Sequence, residues 1–119
     1  VLTFGTLCSG IGGIDLGLER AGMECQFAVE IDPQCRNILR RHFPNALLLG
    51  DMTTVGKHNL PRVDVLAGGT PCQGFSVAGL RGSLDDDRSN LCLQFVRIAN
   101  ELNPGILLWE NVNSGTASP

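Results

Sequence analysis

Cys72 sits in the run Gly68-Gly69-Thr70-Pro71-Cys72-Gln73-Gly74-Phe75-Ser76, a thiol on a loop framed by glycine and proline. Such a cysteine is a candidate nucleophile when a ligand site lies beside it. Free cysteine is otherwise among the most buried residue types, and Cys8, Cys25, Cys35 and Cys92 take that structural reading. Two acids stand at comparable places along the chain. Glu30 lies 20 residues beyond Gly10 and closes an apolar run, where a carboxylate can accept both hydroxyls of a ribose. Asp51 closes the next run; its carboxylate can accept from an adenine amino group, or it can cap the residues from Met52 onward. The turn Gly10-Ile11-Gly12-Gly13 follows the first run and lets a ligand approach the backbone closely. It is not the dinucleotide fingerprint, because the third glycine position holds Asp15. A glycine turn and two acids at successive strand ends together point to an adenosyl ligand. Glu110-Asn111-Val112 closes a further run, and neighbouring strands would set Glu110 across one crevice from Cys72.

These residues need a scaffold, and the rest of the chain supplies its pattern. Short apolar runs alternate with amphipathic stretches, as in βαβ units around a parallel sheet. Strands are predicted over 1–7, 25–30, 46–49, 63–67 and 106–109. The first helix runs to about Ala21, with Ile14, Leu18 and Ala21 on one face and Gly22 as its stop. The second opens with Asp32 as N-cap and Pro33 at the first helical position. Its Cys35, Ile38, Leu39, His42 and Phe43 form a helical stripe. A third helix is predicted over 88–102, with Leu91, Phe95, Ile98, Ala99 and Leu102 at helical spacing. Residues 68–87 carry no periodicity, and a loop of that length in a compact domain is usually functional. In open α/β sheets ligands bind at the carboxyl ends of strands, where the marked residues fall.

The chain has 119 residues, enough for one domain with a single core. Its 43% hydrophobic and 18% charged content reads as soluble and globular. No apolar run approaches the roughly 20 residues needed to span a bilayer. The 5 cysteines include no closely spaced pair, so neither a disulfide framework nor a zinc site is expected, and a reduced, cytoplasmic setting is. The net charge of −3 lacks the basic excess of a self-sufficient DNA binder.

Along essentially its whole length the sequence resembles the cytosine-C5 DNA methyltransferases. Thr6-Leu7-Cys8-Ser9-Gly10-Ile11-Gly12-Gly13-Ile14 is similar to the family's first motif, Asp-Leu-Phe-x-Gly-x-Gly-Gly. Pro71-Cys72-Gln73 is similar to its nucleophile motif, and Glu110-Asn111-Val112 to its next catalytic motif. The resemblance implies a Rossmann-like, S-adenosylmethionine-dependent methyltransferase fold, an α/β sheet ordered 3-2-1-4-5 and continued in the family by two further strands. It implies methyl transfer to C5 of a cytosine flipped out of DNA, with Cys72 adding to C6 and Glu110 holding the ring. Pro71, Gln73 and Asn111 join them at the catalytic centre, and the segment after Cys72 closes over the base. S-adenosylmethionine, with no metal, falls on Cys8, Ser9, Gly10, Gly12, Gly13, Ile14, Glu30, Ile31, Asp51, Met52, Gly69, Pro71 and Leu91.

The chain departs from the pattern at Thr6, where the family has Asp, and at Cys8, where a Phe packs near the adenine. The Gln-x-Arg-x-Arg motif, the target-recognition domain and the C-terminal helix of the family are not among these residues, which therefore correspond to the N-terminal part of the catalytic domain. DNA binding would need that recognition domain. Rival readings are an inactive fragment that only binds cofactor, half of a split enzyme completed by a second polypeptide, and a transfer-RNA methyltransferase. A Rossmann oxidoreductase is disfavoured by the missing third glycine. The strand at 106–109 is expected to be an open apolar edge that pairs with a partner or a second copy.

Overall fold

The computed structural model describes residues 1–69 and 87–110, the side chains of 87–90 excepted. Strand β1 (Thr3–Leu7) leads to helix α1 (Gly13–Arg20), β2 (Glu24–Val29) to α2 (Pro33–His42), and β3 (Leu47–Leu49) to a 3-10 turn (Met52–Thr54). Strand β4 (Val65–Gly68) precedes helix α3 (Asp87–Leu102) and strand β5 (Ile106–Trp109). The strands form a parallel sheet in the expected order, β3-β2-β1-β4-β5. From β1 the chain moves outward through β2 and β3, then crosses back to lay β4 on the other side of β1. The strand order therefore reverses between β1 and β4, and the crevice outside their carboxyl ends is where such sheets take ligands.

Side chains leave alternate faces of each strand, and both faces are covered. Leu7, Phe27, Val29 and Leu66 pack with Phe95, Ile98 and Leu102 of α3 and with Met52 and Val55. Phe4, Ala28 and Val65 pack on the other face with Leu39 and Phe43. Strands buried on both sides read as unbroken apolar runs, as β4 does throughout and β2 does from Phe27 to Val29. Each large apolar side chain so buried contributes about 1.5–3 kcal/mol. Gly5 is required by this packing: the Phe27 ring occupies the place where its Cβ would stand, beside a register shift between Phe4 and Gly5.

Helix α2 begins as the sequence predicts, with Asp32 Oδ1 accepting from Gln34 N at 2.9 Å and Pro33 in the first turn. Its predicted stripe is narrower than expected. Leu39 and Phe43 are buried, but Ile38 is at the margin of exposure and His42 faces solvent. The helix lies over the thin edge of the sheet, where β3 supplies only 3 residues to cover it. Strand β4 starts two residues later than predicted, because Asp64 turns back to accept from Thr3 N at 2.8 Å. All four residues of β5 are half-exposed, and the Trp109 ring stacks on Phe95 at a centroid distance of 6.1 Å. Among the described residues, no helix is long and apolar enough to cross a membrane.

Candidate functional site

The chain leaves β1 through a turn whose backbone is unusual for L-residues. Cys8 has φ 55°, Gly10 φ 59° and Gly12 φ 95°. For a non-glycine residue the left-handed region costs about 1–2 kcal/mol, and such strain gathers at ligand clamps. At Gly12 a Cβ would also come within 2.9 Å of Leu39 Cδ2. At Gly10 and Gly13 it would meet nothing within 4 Å, so the turn presents bare backbone to open space.

Side chains hold this turn from two directions. Thr6 Oγ1 donates to Asp15 Oδ2 at 2.6 Å, so Ser9 Oγ, also 2.6 Å from Thr6 Oγ1, is left to donate to it. Asp15 is completely buried, and its Oδ1 has no hydrogen-bond partner among the described residues. Burial raises its carboxyl above the ordinary range, with the Thr6 hydroxyl working the other way. From the other side Glu30, nearly buried at the end of β2, accepts from Gly10 N at 2.6 Å and from Asp32 N at 2.9 Å. One carboxylate thus ties the β1 turn to the start of α2 and keeps a second lone pair on each oxygen.

Asp51 stands past β3 and caps the 3-10 turn. Its Oδ1 accepts from Thr53 N at 2.9 Å and Thr53 Oγ1 at 2.6 Å, and these bonds hold its carboxyl below the usual range. Glu110 extends the β4–β5 ladder, its N–H donating to Gly68 O at 2.8 Å. Its carboxylate lies over Gly69, where an added Cβ would stand 3.4 Å from Oε1.

At the point where the strand order reverses, a cavity of about 190 Å³ opens between the β1 turn and the ends of β4 and β5. Its lining includes Cys8, Ser9, Gly13, Ile14, Gly69 and Glu110, six residues that the sequence singles out, together with Thr6 and Asp15. Gly10 and Gly12 belong to the same turn. Glu30, Ile31 and Asp51 stand along the neighbouring strand ends, and Ile31 is 69% exposed. Met52 is buried in the core, with Cys8 Sγ 3.6 Å from its Sδ. Leu91 packs against the same core from α3. Pro71, Cys72, Gln73 and Asn111 lie outside the described residues, as do most of the loop predicted to close over the base and residues 112–119. A larger depression of about 620 Å³ lies at the opposite end of the sheet, near Gln26 and Asn45, away from every predicted site residue.

Three described thiols, Cys8, Cys25 and Cys35, are pushed above the ordinary thiol range, and Cys92 is disulfide-bonded. Burial, and then the Glu30 carboxylate, pushes Cys8 up to about 11. Burial, then Asp15 and Glu19, pushes Cys25 up to about 12. Cys35 is raised by burial and by Asp32 and Glu30. Two residues near the site escape the sequence reading. Asp15 appears in it only as the residue that breaks a glycine pattern; an acid in the first turn of a helix behind a glycine turn is its one signal. Arg97 falls between the apolar positions of α3 and reads as solvated, because the carbonyls it binds lie more than 40 residues earlier.

The sequence profile of the C-5 cytosine-specific DNA methylases matches residues 2–116. The Type II methyltransferase M.AquIA of Picosynechococcus is 40% identical over 116 residues, which cover 90% of this chain and 47% of that protein. A DNA N-6-adenine-methyltransferase of Escherichia phage P1 is 40% identical over 124 residues, 93% of this chain and 16% of that protein. The crystal structure of a prophage-encoded DNA modification methyltransferase from E. coli superposes with a TM-score of 0.79 at 37% identity, over 94% of this chain and 32% of that one. The chain thus spans less than half the length of each. The profile match over nearly all of its length, on a parallel sheet of this order with a glycine turn at its switch point, establishes that the chain belongs to the C-5 cytosine-specific DNA methylase family.

Proposed function

We propose that the chain is the cofactor-binding and nucleophile-bearing part of a DNA cytosine-C5 methyltransferase that uses S-adenosylmethionine. The observation that carries this reading is the convergence of the bare glycine turn, Gly69 and the Glu110 carboxylate on one cavity at the switch point. The residues fit the cofactor: the turn offers backbone where no Cβ intrudes, and Glu30 retains lone pairs for the ribose hydroxyls. Asp51 Oδ2 is left for the adenine amino group, because both capping bonds fall on Oδ1. Bound there, S-adenosylmethionine supplies an electrophilic methyl group.

The chain's own residues prepare the base. Cys72, as thiolate, forms a bond to C6 of the flipped cytosine and drives electrons toward C5. Glu110 holds N3 and the amino group, countering the charge that this addition places on the ring. Once C5 carries the methyl group, loss of the C5 proton to a base lets the Cys72–C6 bond break, releases the thiolate and restores the aromatic ring. Cys8, Cys25 and Cys35 are held above the ordinary thiol range, which makes them weaker candidates for this role than Cys72.

The match to the phage relative named for adenine N6 covers only 16% of that protein, so that name does not by itself assign an activity to the matched residues. An amino nitrogen that takes the methyl group directly needs no thiol, whereas the Pro71-Cys72-Gln73 run supplies one. The test is DNA with 5-fluorocytosine in place of cytosine, where C5 has no proton to lose and the Cys72 adduct persists. Supplied with the recognition domain that DNA binding needs, the protein should form a covalent complex that Cys72→Ala abolishes while S-adenosylhomocysteine binding survives. Nucleoside mass spectrometry on ordinary DNA and transfer RNA identifies the product. N6-methyladenine, a product confined to transfer RNA, or an adduct that persists in Cys72→Ala, would overturn the reading.

A further inference from the structure

Arg97 makes contacts that a solvated helix residue has no reason to make. Its Nη2 donates to Met52 O at 3.0 Å and to Val55 O at 2.8 Å, the two ends of the 3-10 turn that Asp51 caps. Its Nη1 donates to Glu101 Oε2 at 2.9 Å, and Nε to Gln94 Oε1 at 2.7 Å, which fixes the plane of the guanidinium. One turn along α3, Glu101 Oε1 accepts from Lys57 N at 3.0 Å. Two side chains of one helix therefore hold three backbone groups of the segment 52–57. The fit leaves no slack: a Cβ at Gly56 would stand 3.2 Å from Arg97 Nη1 and would overlap Glu101 Oε1.

An exposed ion pair between residues four apart on a helix adds little by itself, and the Arg97–Glu101 pair is about one-third exposed. The carbonyl bonds are a different matter, since they join α3 to a turn more than 40 residues away in sequence. Among the described residues, the side chain of Asp51 is bonded only within its own turn, to Thr53, and its carbonyl to Thr54. Its direction relative to the sheet is thus inherited from whatever holds that turn.

We propose that Arg97 is a positioning residue for the cofactor's adenine, aiming the Asp51 carboxylate by gripping Met52 and Val55 from α3. The inference rests on the reading of Asp51 given above. It predicts a selective defect. Arg97→Lys cannot reach both carbonyls with its plane fixed by Gln94, so Asp51 loses its aim while the glycine turn and Glu30, held by other residues, keep theirs.

The test compares S-adenosylhomocysteine with its inosine counterpart, in which a carbonyl oxygen replaces the adenine amino group, and with its 2′-deoxyribose counterpart. Calorimetry measures all three on the protein and on Arg97→Lys, Arg97→Met and Asp51→Asn. A charged hydrogen bond is worth about 10- to 150-fold in affinity, so the unaltered protein should prefer adenine to inosine by that much. Asp51→Asn should erase this preference. Both Arg97 variants should reduce it several-fold and leave the preference for the full ribose unchanged. Arg97→Lys keeps the charge and the helix, so it remains informative if Arg97→Met unfolds. An equal loss on all three ligands, or no loss, makes Arg97 merely structural and overturns the proposal. An unaltered protein that does not prefer adenine removes Asp51 from the adenine and the proposal with it, and Asp51→Asn identifies that outcome separately.

Discussion

Replacing Glu30 by Gln is the sharpest perturbation of this site, because the carboxylate has two jobs. In the fold its two oxygens each accept a backbone N–H, from Gly10 at 2.6 Å and Asp32 at 2.9 Å. A glutamine side chain has one oxygen and one NH2, so whichever way it turns, one of those N–H groups faces a donor. A partly buried N–H left unpaired costs about 1–3 kcal/mol, and stability should fall by about that amount. This is a sizeable share of the roughly 5–15 kcal/mol of a typical domain, but it is not the whole of it. For the ligand, two ribose hydroxyls that had two charged acceptors are left with one neutral oxygen. Loss of one charged hydrogen bond is worth about 1.5–3 kcal/mol, or about 10- to 150-fold in affinity. S-adenosylmethionine and S-adenosylhomocysteine share the ribose, so both should weaken by the same factor. Urea denaturation reads the first effect and calorimetry with each ligand the second. An unchanged affinity removes Glu30 from the site; a loss confined to S-adenosylmethionine places it near the methyl-bearing sulfur instead.

Two more expectations follow from groups that the site leaves strained or exposed. Burial raises the Asp15 carboxyl above its ordinary 3.8, so the folded state favours the protonated form. Stability should be greatest below that ordinary value and should fall as pH rises through it toward the folded one. In Asp15→Asn this fall should vanish, and equal pH slopes in urea melts of both proteins would refute the assignment. The β5 edge leaves Ile106 and Leu107 each 50% exposed, with no lysine or proline to blunt it. Sedimentation of the 119-residue chain should show mass rising with concentration, and Leu107→Lys should suppress it. A clean monomer at high concentration counts against the edge as a pairing surface.

Local signals made much of this protein legible from its residues alone. Asp32-Pro33 opens a helix because the cap and the fixed φ act within three residues, and that start is found where predicted. The glycines at 10 and 12 mark a turn, and the structure gives both a positive φ. Alternating apolar runs and amphipathic stretches implied a parallel α/β sheet, and its strand order followed from the family resemblance carried by three motifs. The burial of α2 was less legible, since periodicity shows which face is apolar but not how wide the sheet beneath it is.

Other features were decided only when distant segments met. The sequence marked Glu30 as a ribose acceptor. Its bond to Gly10, across 20 residues, makes it also the clamp of the turn it serves. Thr6 in place of an acid reads as a loss. The fold sets Asp15 against it at 2.6 Å, so a carboxylate returns to that spot from the helix side. Arg97 looks like a solvated charge until α3 lies along the turn at Met52. Propensity, capping and turn chemistry act over a few residues and can be read along the chain. The hydrogen-bond partner of a side chain depends on which strands become neighbours, and here that depends on the crossover that places β4 beside β1.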